Sequence, residues 1–268
     1  MVEKNPRKDG EYLNSLARGL SVLRAFTREK PQMTLSEIAA QTGLNPAVAR
    51  RCLNTLLHLG YVGKKDKLFL LRPDVFLLGA AYIESMNLEE LVRPSLQRVR
   101  DNTGNSVALS VLSDMETLFL AYVSTKQLTR IIAGVGTRFP AYATAAGRAI
   151  LAFEDKSVVD EYFRQVQLEP LTEKTVTSVK ELKSIFSTIR KNRYASTDGQ
   201  LDFGVVSLAV PIFNEENRVI ASISCSTASA RTSEAEMIEE IVPQLSEAAT
   251  EIEFQLRRSP MLAHSIMS

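Results

Sequence analysis

Near the amino terminus, apolar positions recur at helical spacing in three short stretches. Leu16, Ala17, Leu20, Leu23 and Phe26 predict a first helix, and the next turn is broken by Pro31. Thr34, with Glu37 three residues on, has the form of a capping box. It starts a second helix carrying Leu35, Ile38 and Ala39 that ends at Gly43. Asn45 then caps a third helix with Pro46 in its first position, where a missing N–H costs nothing. Val48, Cys52, Leu53, Leu56 and Leu57 form its inward stripe; Asn45, Ala47, Arg50, Arg51 and Asn54 face the other way, and Gly60 closes it. Tyr61-Val62 and Lys67 to Leu71 read as strands around a turn at Gly63-Lys64-Lys65-Asp66.

Helical spacing continues from Pro73 to about Asn87 through Val75, Leu77, Leu78, Tyr82 and Ile83, and Leu88 to Asp101 predict a further helix ending near Gly104. The period then changes. Runs suited to strands cover Ser106 to Ser113, Thr117 to Val123 and Arg130 to Ala133, and later Ser207 to Phe213 and Val219 to Ser226, joined through a polar turn at Asn214 to Asn217. Helix starts are expected at Thr144, at Ser178 with Glu181, and at Ser233 with Glu236. The pattern predicts an α/β (α+β) chain, with a small helical head and a larger domain in which helices surround a mixed sheet.

The chain's 268 residues are enough for two such cores, and its 45% hydrophobic and 24% charged residues are those of a globular protein. No apolar run is long enough to cross a bilayer, and Met1 to Gly10 is charged with no apolar signal segment, so a cytoplasmic location without membrane association is expected. Cys52 and Cys225 lie far apart in apolar segments and read as reduced core thiols. With His58 and His264 equally isolated, no metal and no cofactor is expected. Charge is unevenly divided: residues 1–77 carry 13 Lys and Arg against 7 Asp and Glu, leaving 19 against 24 for the remainder. A basic head on an acidic body suits phosphate attraction.

The third helix supplies the chemistry to match. Arg pairs bidentately with guanine and Asn with adenine in the major groove, and a small Ala lets the helix approach closely. A short helix, a glycine turn and a second helix with such a face form a helix-turn-helix, and Lys64, Lys65 and Lys67 place a basic hairpin wing near phosphate. A three-helix packing module with solvated lysines is the alternative. In the larger domain, Gly134 to Pro140 lacks the third glycine of a dinucleotide loop, Phe139 standing in its place. Thr144 instead caps a helix whose first turn, Ala145-Ala146-Gly147, leaves backbone amides open to a carboxylate. Ser224 and Ser226 alternate so as to point from one strand face into one cavity, although small residues here also serve close packing.

Ser15-Leu16-Ala17-Arg18-Gly19-Leu20, Leu35-Ser36-Glu37-Ile38-Ala39, Gly43-Leu44 leading into Ala49-Arg50-Arg51, and Leu59-Gly60-Tyr61-Val62 together resemble the IclR family of bacterial regulators. Leu71-Arg72-Pro73, Leu78-Gly79, Phe139 to Arg148 and Ser207 to Phe213 extend the likeness over nearly the whole chain. Ala49-Arg50-Arg51 and Pro140 to Thr144 are most similar to the subgroup controlling aromatic-acid breakdown through protocatechuate and β-ketoadipate.

The resemblance implies a winged helix-turn-helix over 12–74, a linker helix used in dimerisation over 75–88, and a GAF-like effector domain over 89–258. Double-stranded DNA with a palindromic operator, a small organic acid of the aromatic class, and assembly as a homodimer or homotetramer are the partners implied. The matching effector positions are Ala145, Ala146, Asp198, Ser207, Ser224 and Ser226. The family often has paired acidic residues where this chain has Thr197-Asp198, and a cysteine where Ser207 stands. Two other functions remain open: an enzyme acting on a small carboxylic acid with an accessory DNA-binding head, and a protein-interaction module. Against the enzyme, no nucleophile, base and orienting group form a recognisable set, and none is assigned as catalytic.

Overall fold

A computed structural model describes residues 12–27, 29–125, 133–231 and 233–266, with backbone alone at 81 and 83–86. The chain divides between Ser85 and Met86 into two compact units. The first holds α1 (Asn14–Arg24), α2 (Leu35–Thr42) and α3 (Pro46–His58) with a small antiparallel sheet of β1 (Gln32–Thr34), β2 (Val62–Lys65) and β3 (Leu68–Leu71). Its strand order is β1-β3-β2. The capping box of α2 is complete: Thr34 Oγ1 accepts from Glu37 N, and Thr34 N donates to Glu37 Oε2 at 2.7 Å. Gly43, at φ 67°, closes α2 in the left-handed conformation that glycine adopts without strain.

Three local expectations are corrected here. The inward face of α3 centres on Ala49, Leu53 and Leu56, which are buried, while Val48 and Cys52 are only partly covered. The hairpin turn is Asp66-Lys67 alone, so Lys64 and Lys65 belong to β2. Pro73–Val75 form a separate 3-10 turn before α4 (Phe76–Met86), in place of one continuous helix from Pro73.

The second unit is built on six strands: β4 (Ser106–Ser113), β5 (Glu116–Val123), β6 (Arg138–Pro140), β7 (Ala195–Asp198), β8 (Val205–Phe213) and β9 (Val219–Ala228), in the order β6-β5-β4-β9-β8-β7. The α+β architecture holds, but every neighbouring pair is antiparallel, so the sheet is not mixed in strand direction. The strand expected at Arg130 to Ala133 lies, Ala133 apart, outside the described residues.

The two faces of this sheet differ in side-chain size. One presents Val107, Leu109, Leu208, Val210, Ile223 and Cys225 to α5 (Leu88–Thr103) and α9 (Glu234–Arg257), with α10 (Pro260–Ser265) beside them. The other is lined by alanine and serine and carries α6 (Ala145–Leu151), with α7 (Lys156–Gln165) and α8 (Val179–Asn192) completing a second core around Ile150, Tyr162 and Phe186. Helices pack on a sheet at a roughly fixed distance, so a face of small residues leaves room that a face of Leu and Ile fills. Among the described residues, no helix is long and apolar enough to cross a membrane.

Candidate nucleic-acid interface and ligand cavity

Helix α3 advances about 100° per residue, which sets Ala47, Arg50, Arg51 and Asn54 within one arc opposite the buried Ala49, Leu53 and Leu56. All four are exposed, as is Asn45. Asn45 has a second task, because its Oδ1 accepts from Ala47 N at 2.9 Å and caps the helix. His58 falls on the same arc, four residues beyond Asn54; that spacing was available in the sequence and the side chain is exposed. Lys64, Lys65 and Lys67 are exposed on the hairpin, and Lys64 Nζ lies 5.6 Å from the Phe69 ring centroid, so its stem follows the aromatic while the ammonium stays in water. The arrangement offers two guanidinium groups and an amide for base edges, with cations alongside for phosphate.

The cavity lies between the alanine-and-serine face of the large sheet and the start of α6, with about 750 Å³ of empty space including its open mouth. Strand register builds its floor. Thr197 pairs with Ser207, Ser207 with Ser226, and Ser226 with Ser106, which lays one row of hydroxyls across β7, β8, β9 and β4. Ser207 Oγ and Ser226 Oγ are 2.8 Å apart and share a hydrogen bond. The adjacent row, Ala209, Ser224 and Ala108, is kept low by small side chains, and all but Ala209 line the cavity.

Phe119, Tyr122 and Phe139 form an aromatic wall. Phe119 and Tyr122 are an odd number of residues apart and would face opposite ways on a regular strand. A bulge changes this: Ser110 pairs with Phe119 and Leu109 with Ala121, leaving Leu120 as the extra residue. Both rings consequently come to the cavity face, 6.1 Å apart between centroids, and Phe139 meets Phe119 edge-on at 5.6 Å.

Helix α6 supplies the remaining wall. Thr144 Oγ1 accepts from Gly147 N at 3.0 Å, as its place before the helix predicts, and Ala145 and Ala146 stand at the cavity with their amides in the first turn. Behind them Arg148 is 1% exposed. Its Nε donates to the Tyr142 carbonyl at 2.6 Å and its Nη2 donates to Gln200 Oε1. Burial pushes this guanidinium down to about 10.

Five of the six expected effector positions, Ala145, Ala146, Ser207, Ser224 and Ser226, therefore meet in one cavity. Asp198 does not. It sits next to Thr197 on β7, so alternation turns it away from the floor, and its carboxylate forms an ion pair with Lys174 Nζ at 2.6 Å. Ser106, Thr197 and the aromatic wall went unread because only strand pairing reveals them. Among the described residues, no cluster of His, Cys, Asp and Glu could hold a metal ion.

Residues 15–66 match the IclR helix-turn-helix domain, and residues 80–254 match the C-terminal domain of the bacterial transcriptional regulator IclR. The chain is 32% identical to the Pca regulon regulatory protein of Pseudomonas putida over 92% of this chain and 86% of that one. Among solved structures, a putative transcriptional regulator from Rhodococcus sp. RHA1 superposes with a TM-score of 0.76 at 35% identity, covering 92% of this chain and 100% of the other. An IclR homolog of Microbacterium hydrocarbonoxydans, complexed with 4-hydroxybenzoate, does so at 0.74 and 25% identity over 91% and 99%.

Proposed function

The chain belongs to the IclR family of DNA-binding transcriptional regulators, and from that premise we propose that it controls genes of aromatic-acid breakdown in response to a small aromatic acid held in the cavity of its second domain. It is a regulator and not an enzyme, as its relatives are. The observation that carries the ligand class is the facing of an aromatic wall, Phe119, Tyr122 and Phe139, to a floor of hydroxyls. A flat ring stacks on the first, and its polar substituents bond to the second. The amides of Ala145 and Ala146 donate to the carboxylate in this reading, and Ser207, Ser224 and Ser226 take the far substituent. The Pca regulon relative and the 4-hydroxybenzoate complex support the same class.

On the DNA side Arg50, Arg51 and Asn54 read base edges, Asn45 and Ala47 set the approach, and Lys64, Lys65 and Lys67 hold phosphate. The working division is a DNA-binding domain over 12–74, a linker helix over 75–88 and an effector domain over 89–258. Leu16 and Leu20 on α1, and Phe76, Leu77 and Leu78 on α4, are large apolar side chains left exposed. A homodimer, or a homotetramer built from it, covers them and reads a palindromic operator through its two-fold axis.

Two measurements test the proposal. Thermal-shift screening with 4-hydroxybenzoate, protocatechuate, β-ketoadipate, pyruvate and glyoxylate is expected to raise the melting temperature with an aromatic acid; a response to the short keto acids alone overturns the ligand class. In gel shifts, the Arg50→Ala/Arg51→Ala double variant is expected to lose operator binding while keeping its fold and ligand response. Operator affinity unchanged in that variant overturns the assignment of α3 as the reading helix.

A further inference from the structure

We infer that Arg148, which is not among the described residues lining the cavity, is the specificity-determining residue that makes the cavity select an anion: among the described residues its buried positive charge has no bonded counter-ion, and the ligand's carboxylate supplies one. This rests on the reading of the cavity as the effector site. Among the described residues the guanidinium's hydrogen-bond acceptors are a backbone carbonyl, on Tyr142, and a side-chain amide oxygen, on Gln200, and both are neutral. Glu181, exposed to solvent, acts on it only through space. A buried cation held by neutral groups is costly, and proteins ordinarily pair one with a carboxylate.

The two acceptors place the charge. The Tyr142 carbonyl belongs to the peptide bond leading into Ala143, and Gln200 directly precedes Leu201; both Ala143 and Leu201 line the cavity. Along α6, Arg148 stands one turn from Ala145. The guanidinium is therefore tied to the residues that adjoin Ala143 and Leu201 in the cavity lining, and its burial keeps solvent from screening it. A carboxylate at the Ala145 and Ala146 amides lies within its field, and a neutral molecule of the same shape gains nothing from it.

Isothermal titration of the full chain with 4-hydroxybenzoate and with uncharged 4-hydroxybenzamide tests this. As a general scale, opposite unit charges about 7 Å apart at an effective dielectric constant of about 20 attract by an amount worth roughly fifty-fold in affinity, so Arg148→Met is expected to weaken the acid by about ten- to fifty-fold and the amide by less than about two-fold. Gln200→Glu gives the guanidinium a resident carboxylate and keeps an oxygen acceptor for Arg148 and Val176 N. It is expected to weaken the acid by about ten-fold and spare the amide. Parallel losses for acid and amide, or unchanged acid binding, in either variant overturn the role of Arg148 and leave the cavity reading standing. A wild-type chain that binds no aromatic acid overturns the cavity reading and this inference with it.

Discussion

Replacing Gly147 by alanine is expected to destabilise the second unit by about 2 kcal/mol or more and to impair ligand binding, because the added carbon has no place to go. It would stand 2.3 Å from the Ala141 carbonyl oxygen, 2.4 Å from Ala141 Cα and 2.6 Å from its carbonyl carbon, all backbone atoms. Relief requires the 3-10 turn Ala141–Ala143 to retreat by about 1 Å, since ordinary contacts lie near 3.5 Å. That turn is pinned. Ala141 N donates to Met115 O at 3.1 Å, Tyr142 N to Tyr162 Oη at 3.0 Å, and Tyr142 Oη to Glu169 O at 2.8 Å. All three residues of the turn are buried.

Overpacking costs about 1–3 kcal/mol, and a clash with fixed backbone belongs at the upper end; alanine's better helix propensity returns at most about 1 kcal/mol. The net loss, about 2 kcal/mol, corresponds to a fall of roughly 4–8 °C in melting temperature for a unit of this size. Calorimetry on the full chain measures it, with 4-hydroxybenzoate titration on the same samples, since any retreat of the turn displaces Ala143 at the cavity. A melting temperature within about 1 °C of wild type would refute the claim that the turn is held from several sides.

Two further substitutions test other parts of the second unit. Ser110 Oγ is fully buried and has no hydrogen-bond partner among the described residues, so Ser110→Ala is expected to stabilise the unit by about 1 kcal/mol in urea unfolding; a loss of similar size would show that the hydroxyl is satisfied after all. Glu251, bonded to Arg98 and Ser95, has its carboxyl held below the usual range, so its contribution is present above the unfolded carboxyl's titration and fades as pH falls through the lowered folded value. Wild type should exceed Glu251→Gln in stability by less than about 1 kcal/mol near pH 6, with the gap closing toward pH 3; a constant gap would contradict the linkage.

The head domain was legible in the sequence because its signals act within single turns. Thr34 and Glu37 satisfy each other's neighbouring backbone three residues apart, Asn45 caps two residues on, and Gly43 needs only its own backbone freedom. Strand β1 was illegible for the opposite reason. Three residues are too few to show alternation, and its partner β3 begins 34 positions after Thr34, at Leu68. Only the folded sheet identifies Gln32–Thr34 as extended.

The cavity divides along the same line. Alternation sufficed to put Ser224 and Ser226 on one face, and it allows only one of Thr197 and Asp198 to join them; the pairing of Thr197 with Ser207 decides for Thr197, whereas the family resemblance points to Asp198. The aromatic wall had no such signal. Regular alternation separates Phe119 from Tyr122, and their shared face depends on the extra residue Leu120, which is defined only by the pairing of β5 with β4. Alternation over 116–123 would have sent one ring to the α5 side and left the other without its stacking neighbour. On the proposed reading of the cavity, selection of a flat ring would be a property of register: removing the bulge would exchange the faces of residues on one side of it and dismantle the wall, although no residue lining the cavity had been replaced.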